Sequence, residues 1–343
     1  MKRLALASRR DRADVFRETA DALGIAAALI EKDFWVCWTL ARLFSLPDLA
    51  PHLLFKGGTA LSKVYGVIHR FSEDVDISVS RDFLRPGSGE AAEIEDISST
   101  RRRKEIDTLV ITFHRVVADI IQPRLREVIA TELGTEAGWR LVPDERDAGT
   151  LLFVYPVGVD EVSLYNAPMV RIEMGGRSDV WPAEPGILKP YAAAVVPQVF
   201  DAPAISVRVL AAERTFWEKA TILHNEYYRP GEKRRAERIS RHYYDLAQLA
   251  SHPEIGVRSL QARDVLHRVV QHKTVYYSDS WSRYGEAATG AMRLVPPPQE
   301  ASSLRADYGQ MRPMFFDEPP AFDALLATLA ALEARINEEN QTA

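Results

Sequence analysis

The 343-residue sequence predicts an α+β protein, with a mixed-sheet core between N-terminal helices and a helical C-terminal domain. Three observations carry this. Helical spacing fills residues 11–46; short apolar runs then mix with helical stretches as far as about residue 174; beyond Val209 the pattern is helical alone.

Residues 11–46 read as two helices broken at Leu23-Gly24, the second presenting Ile30, Phe34, Cys37, Trp38, Ala41 and Phe44 at steps of three and four. After Pro47 and Pro51, Leu53-Leu54-Phe55 reads as a strand running into Lys56-Gly57-Gly58-Thr59, and 60–67 as a helix. Asp74-Val75-Asp76-Ile77-Ser78-Val79-Ser80 alternates polar and apolar, the period of a strand with one buried face. Residues 85–104 read as a loop, acidic then basic, and a helix of about 25 residues starts at Glu105. Strands follow at 151–157 and 168–174, then helices at 210–226, 233–251, 258–272 and 321–338, with prolines at 296–298 and 319–320 as breakers. The expected organisation is 1–50 as helices packing on the core, 51–205 as the core and 206–343 as the helical domain.

Forty-three Lys and Arg against 48 Asp and Glu exclude a histone-like or ribosomal basic protein. Residues 299–343 hold eight acidic side chains and three arginines, which accounts for the whole net charge of −5. The acidic excess is therefore local, and nucleic acid remains a possible partner for another face. The single Cys37 can form no internal disulfide, and no cysteine cluster exists for a structural zinc. No signal-peptide stretch opens the chain, and the most apolar window, 29–46, is broken by Glu31, Lys32, Asp33 and Arg42. The expectation is a cytoplasmic protein with no membrane partner. No histidine pair has zincin spacing and no Gly-x-Ser-x-Gly elbow is present.

Residues 56–80 carry the chemistry. A Gly-Gly turn leading from a strand into a helix offers unhindered backbone N–H groups to a phosphate, although a plain tight turn has the same composition. Asp74 and Asp76, at i and i+2 of a strand, project from one face and can chelate one Mg²⁺. An isolated Asp-x-Asp is also what the wet face of an amphipathic strand looks like. The conjunction decides: a phosphate turn shortly before a metal-binding strand is what metal-assisted nucleotidyl transfer requires.

Phe55-Lys56-Gly57-Gly58-Thr59-Ala60-Leu61, followed by Arg70-Phe71-Ser72-Glu73-Asp74-Val75-Asp76-Ile77, resembles the AbiEii/AbiGii nucleotidyltransferase toxins, the group that includes MenT toxins. Ile30-Glu31-Lys32-Asp33, Glu218-Lys219, Arg241-His242-Tyr243-Tyr244-Asp245-Leu246 and Asp307-Tyr308 extend the likeness over about 30–338. The resemblance implies a polymerase-β-like nucleotidyltransferase core and a helical domain. It implies Asp74 and Asp76 as metal ligands, and Lys56, Gly57, Gly58, Thr59 and Ser72 around the nucleotide. Lys219 would hold the triphosphate, and Asp245 would be the motif aspartate. His242 stands where the family motif has its first aspartate. Mg²⁺ as cofactor, an NTP, the tRNA 3′ end as acceptor, an antitoxin partner and a role in growth arrest or phage defence follow from the same likeness.

The residues themselves leave alternatives. Lys219, among Phe216, Trp217 and Ile222, can equally occupy the wet face of its helix, and Asp245 can form an i,i+4 pair with Arg241. Glu173, which shares a strand face with Arg171, is a possible third metal carboxylate or half of a surface ion pair. Arg229, Lys233, Arg234, Arg235 and Arg238 form a basic run that reads as a solvated helix face or as an RNA backbone contact, with Tyr227, Tyr228, Tyr243 and Tyr244 available for stacking. Two further functions compete: nucleotidylation of a protein or small molecule, and a silent module that binds nucleotide or antitoxin.

Overall fold

Val75, Ile77 and Val79 are fully buried while Asp74 and Asp76 are half-buried, so the alternation of 74–77 becomes a strand with one face in a core; Ser78, on the face of the two aspartates, is also fully buried, and from Ile77 the strand is covered on both sides. The computed structural model describes residues 1–86, 98–135, 138–159, 167–233 and 237–341. They divide into two compact units. The first takes Met1–Val64 and the described residues of 71–86 and 99–209; the second takes Tyr65–Arg70, Ser98 and the described residues of 210–341. Helices of seven or more residues are numbered below.

The first unit opens with α1 (Arg9–Leu23) and α2 (Ala27–Leu43), separated by Gly24 in the left-handed conformation at φ 66°. Then come β1 (Leu53–Lys56), α3 (Gly57–Lys63), β2 (Asp74–Val79), α4 (Ser99–Val116) and α5 (Gln122–Leu133). Five strands close the unit: β3 (Arg140–Pro143), β4 (Thr150–Val154), β5 (Met169–Gly175), β6 (Ala183–Leu188) and β7 (Ile205–Leu210). They form one mixed sheet in the order β3-β4-β5-β2-β1-β7-β6. β2 lies antiparallel to β1 and parallel to β5, and β1 lies parallel to β7. Trp35 and Trp38 of α2 stack on Tyr155 and Phe153, with ring centroids 5.6 and 5.5 Å apart, which seals α2 against the β4 region.

The second unit is built on α6 (Ala212–Tyr227), α7 (Ser240–Ser251), α8 (Ile255–Gln261), α9 (Arg263–Tyr276), α10 (Ala301–Gln310) and α11 (Phe322–Gln341). Trp217 of α6 is fully buried and donates its indole N–H to Ser259 O of α8 at 2.9 Å. Tyr243 of α7 packs edge-on against Phe322 of α11. His224 is fully buried; its Nε2 lies 2.9 Å from Arg283 O and its Nδ1 accepts the Arg293 N–H at 3.0 Å.

That histidine yields a pH prediction. Burial lowers the His224 pKa, and a protonated Nδ1 could no longer accept from Arg293. The folded state therefore binds fewer protons than the unfolded state. Stability is fully present above the unfolded imidazole pKa of about 6.5 and falls as pH drops through it. Urea denaturation of the wild type at pH 7.5 and 5.5 should show this loss, and His224→Gln should reduce it, with the remainder coming from His242, whose pKa is also lowered by burial.

Several elements differ from the sequence expectation. The helix expected at 60–67 is Gly57–Lys63, because the glycines themselves begin it. The helix expected from Glu105 begins at Ser99 and passes through a π-turn at Val117–Ile121; Pro123, which has no N–H and crowds the preceding carbonyls, follows directly. Residues 87–97 of the expected loop lie outside the described residues. The described part of 233–251 is helical only from Ser240, and 258–272 corresponds to two helices, α8 and α9. β3, β6 and β7 were not expected. β6 carries Pro185 and Gly186, which its place at the sheet edge tolerates.

Candidate active site

Lys56 ends β1 and pairs in register with Asp76 of β2, which brings the glycine turn beside the Asp-x-Asp strand. Gly57 has φ 79°, a conformation that side chains other than hydrogen rarely adopt. A Cβ built there would lie 1.9 Å from Asp76 Oδ2 and 2.6 Å from its Cγ. The position is thus reserved for glycine twice over, by backbone angle and by the carboxylate lying against it. Gly57→Ala should destabilise the protein by about 1–3 kcal/mol from the backbone conformation alone. It should also displace Asp76 and remove nucleotide transfer, an effect that urea denaturation and a transfer assay read separately.

Thr59 is buried and its hydroxyl turns to the backbone, within 2.5 Å of Asp74 O and 3.2 Å of Ser72 O. This ties α3 to the entry of β2. Gly58 follows Gly57 in the first turn of α3, whose N-cap residue Lys56 supplies no side-chain cap. Lys56 Nζ donates to Ser178 Oγ at 2.9 Å. Asp74 and Asp76 stand half-exposed on the polar face of β2.

On the neighbouring strand, Glu173 is the register partner of Asp76 and Arg171 that of Asp74. Among the described residues, however, no group of three or more His, Cys, Asp or Glu side chains is placed to hold a metal ion. Glu173 instead accepts from Arg171 Nε at 3.0 Å, and Arg171 also reaches Asp144. Two carboxylates on one strand face still fit Mg²⁺, which typically takes one or two protein carboxylates and completes its octahedron with substrate phosphate and water.

The second unit brings Lys219 and Asp245 together. Asp245 is fully buried on α7; Arg70 grips it bidentately through Nε and a terminal nitrogen, both at 2.8 Å, and Lys219 Nζ of α6 donates to Oδ2 at 2.7 Å. Burial alone would raise the Asp245 pKa, but the two cations bring it well below the usual carboxylate range. Burial lowers the Lys219 pKa, which Asp245 opposes. His242, held neutral by burial and by Lys219, places Nδ1 3.3 Å from the ammonium. Neither alternative read for these residues holds: Lys219 is 7% exposed, and the carboxylate bonds Arg70 and Lys219. Arg70 is the contributor that residue-by-residue reading missed, although it stands inside the motif that carries the Asp-x-Asp; His242, at the position of the family motif's first aspartate, joins the same cluster.

The described residues of the basic run, 229–233 and 238, are turn or irregular rather than helix. Arg229 pairs with Glu226 at 3.0 Å and donates to Lys233 O at 2.9 Å, with its side chain only 7% exposed. Arg238 sits at φ 59°, and its N–H, with the N–H and hydroxyl of Ser240, is held by the Asp307 carboxylate. Lys233 is exposed, and Arg234 and Arg235 lie outside the described residues. Tyr243 and Tyr244 are core residues and cannot stack on a base.

A mixed sheet presenting an Asp-x-Asp strand against a glycine turn belongs to the nucleotidyltransferase class. The family described as "Nucleotidyl transferase AbiEii toxin, Type IV TA system" matches residues 38–328, and the chain belongs to that family. It is therefore a nucleotidyltransferase toxin of a type IV toxin–antitoxin system, with an NTP as substrate and an antitoxin as counterpart. MenT4, a nucleotidyltransferase toxin from Mycobacterium tuberculosis H37Rv, is a structural neighbour at 18% identity and a TM-score of 0.48, covering 97% of this chain and 90% of that one. No curated protein matches the sequence. No helix among the described residues is long and apolar enough to cross a membrane.

Proposed function

We propose that the protein moves a nucleoside monophosphate from an NTP to the 3′-terminal hydroxyl of tRNA, with Mg²⁺ bound by Asp74 and Asp76. The acceptor oxygen bonds to the α-phosphorus, the α–β phosphoanhydride bond breaks, pyrophosphate leaves and the hydroxyl proton passes to solvent. The observation that carries this reading is the Asp76 carboxylate seated against Gly57, which joins an acidic strand to a phosphate turn. A bound Mg²⁺ would supply positive charge to the triphosphate and lower the pKa of the attacking hydroxyl.

The chain's own groups bind and orient. First-turn amides of Gly58 and Thr59, without a side-chain cap from Lys56, would donate to a phosphate, and Ser72 lies two residues before β2. Lys219 is the cation proposed for the triphosphate, fixed in place by Asp245 and Arg70. Lys233 is the described member of the basic run whose side chain is exposed to an RNA backbone. Cytoplasmic growth arrest, including arrest during phage infection, is the outcome this reading assigns.

The test supplies each α-labelled NTP with Mg²⁺ to the purified protein and a total RNA extract. Label should enter tRNA from one preferred NTP, and periodate oxidation of the 3′ end should block it. Label in protein or in small metabolites instead would overturn the acceptor.

A further inference from the structure

Glu31, Lys32 and Asp33 are consecutive on α2, yet all three are at least 97% buried. Burying three adjacent charges is costly, and an apolar helix would pack here without that cost. Successive helical residues point about 100° apart, so each charge reaches a different segment. Glu31 accepts the N–H groups of Gly158 and Val159 at 2.6 and 3.1 Å. Lys32 donates to Glu73 Oε2 at 2.6 Å, and Asp33 accepts from Lys63 Nζ and Tyr191 N, both at 2.7 Å.

Two of these braces fall on the transfer centre. Lys63 is the last residue of α3, and Glu73 directly precedes Asp74. Thr59 closes the arrangement from within, through the carbonyls of Ser72 and Asp74.

We infer that Lys32 is a positioning residue for nucleotidyl transfer: through Glu73 it sets the backbone at the entry to β2, and so where Asp74 and Asp76 present their carboxylates. The inference rests on the reading of those aspartates as metal ligands. Outer-shell partners of this kind typically change metal affinity or activity by about 10–100-fold.

At Lys32 a charge effect and a positioning effect have opposite signs, whereas at Glu73 both weaken binding, so only the loss in Lys32→Met separates them and Glu73→Ala serves through the coupling of the pair. Removing a cation near two carboxylates would tighten divalent-metal binding, whereas losing their alignment weakens it. The experiment measures Mn²⁺ binding by the free-ion EPR signal, with a non-hydrolysable NTP analogue present, for wild type, Lys32→Met, Glu73→Ala and the double variant. Positioning predicts that each single variant binds Mn²⁺ about tenfold or more weakly and that the double variant is no worse than either. Glu73 is partly exposed, so Glu73→Ala keeps the test alive if Lys32→Met does not fold. Tighter binding in Lys32→Met, additive losses, or unchanged binding in folded Glu73→Ala would overturn the inference. Asp76→Asn serves as the control: if it leaves Mn²⁺ binding intact, the metal-ligand reading itself has failed.

Discussion

Asp76→Asn is expected to reduce nucleotide transfer by about 10³-fold or more while leaving the fold intact. Asparagine matches aspartate in shape and so remains compatible with the side-chain-free Cα of Gly57, where the carboxylate now rests. What it removes is one of two anionic oxygen donors on β2, and metal stabilisation of a phosphoryl-transfer transition state is worth several kcal/mol, with about 1.4 kcal/mol for each tenfold in rate. Asp76 is half-exposed at a strand position, so urea denaturation should shift little. Transfer is read as label incorporated per minute at saturating NTP. A variant that retains more than a tenth of wild-type transfer would remove Asp76 from the chemistry.

Asp245→Ala should act mainly on stability, costing about 3–5 kcal/mol. The carboxylate is fully buried and is the shared acceptor of Arg70 and Lys219, so its removal leaves two cations in a low-dielectric interior without their counter-ion. Asp245→Asn keeps one acceptor and should cost less. Because the folded Asp245 pKa lies below the usual carboxylate range, its contribution is present above the unfolded value of about 3.9 and is lost only as pH falls through the folded value. The stability gap between wild type and Asp245→Ala should therefore hold steady between pH 5.5 and 7.5, whereas the His224 contribution changes over that window. A gap below 1 kcal/mol in urea denaturation would mean that the cluster relaxes or admits water.

Much of the first unit was legible because its signals are local. The alternation of 74–80 and the strand, turn and helix around Gly57 follow from period and from glycine chemistry. β7 carried the same signal: Ile205, Val207 and Val209 alternate with Ser206 and Arg208. Helical spacing begins directly after it, at Ala212, and masks the strand in the sequence. β6, with a proline and a glycine, offered no such pattern, and only its edge position makes it a strand.

The limits in the site are of another kind. Nothing in the spacing of Lys219 and Asp245 shows that they meet, since they lie 26 positions apart on different helices, α6 and α7. Arg70, 175 residues from Asp245, could be joined to it only in three dimensions. The basic run illustrates the converse. Its composition suits an exposed helix, but at its described ends a glutamate holds Arg229 and the Asp307 carboxylate holds the N–H groups of Arg238 and Ser240 outside helical pairing. The charged triplet on α2 was visible as a motif, yet its partners at 73, 63 and 158–159 are all distant in sequence.

The most direct test is a crystal structure of the wild-type protein with Mn²⁺ and a non-hydrolysable NTP, with anomalous data collected for the manganese. The expected result is a manganese peak held by the Asp74 and Asp76 carboxylates, with the triphosphate against the turn at Gly57 and Gly58. A manganese and nucleotide bound elsewhere, with those two carboxylates left without the ion, would contradict it.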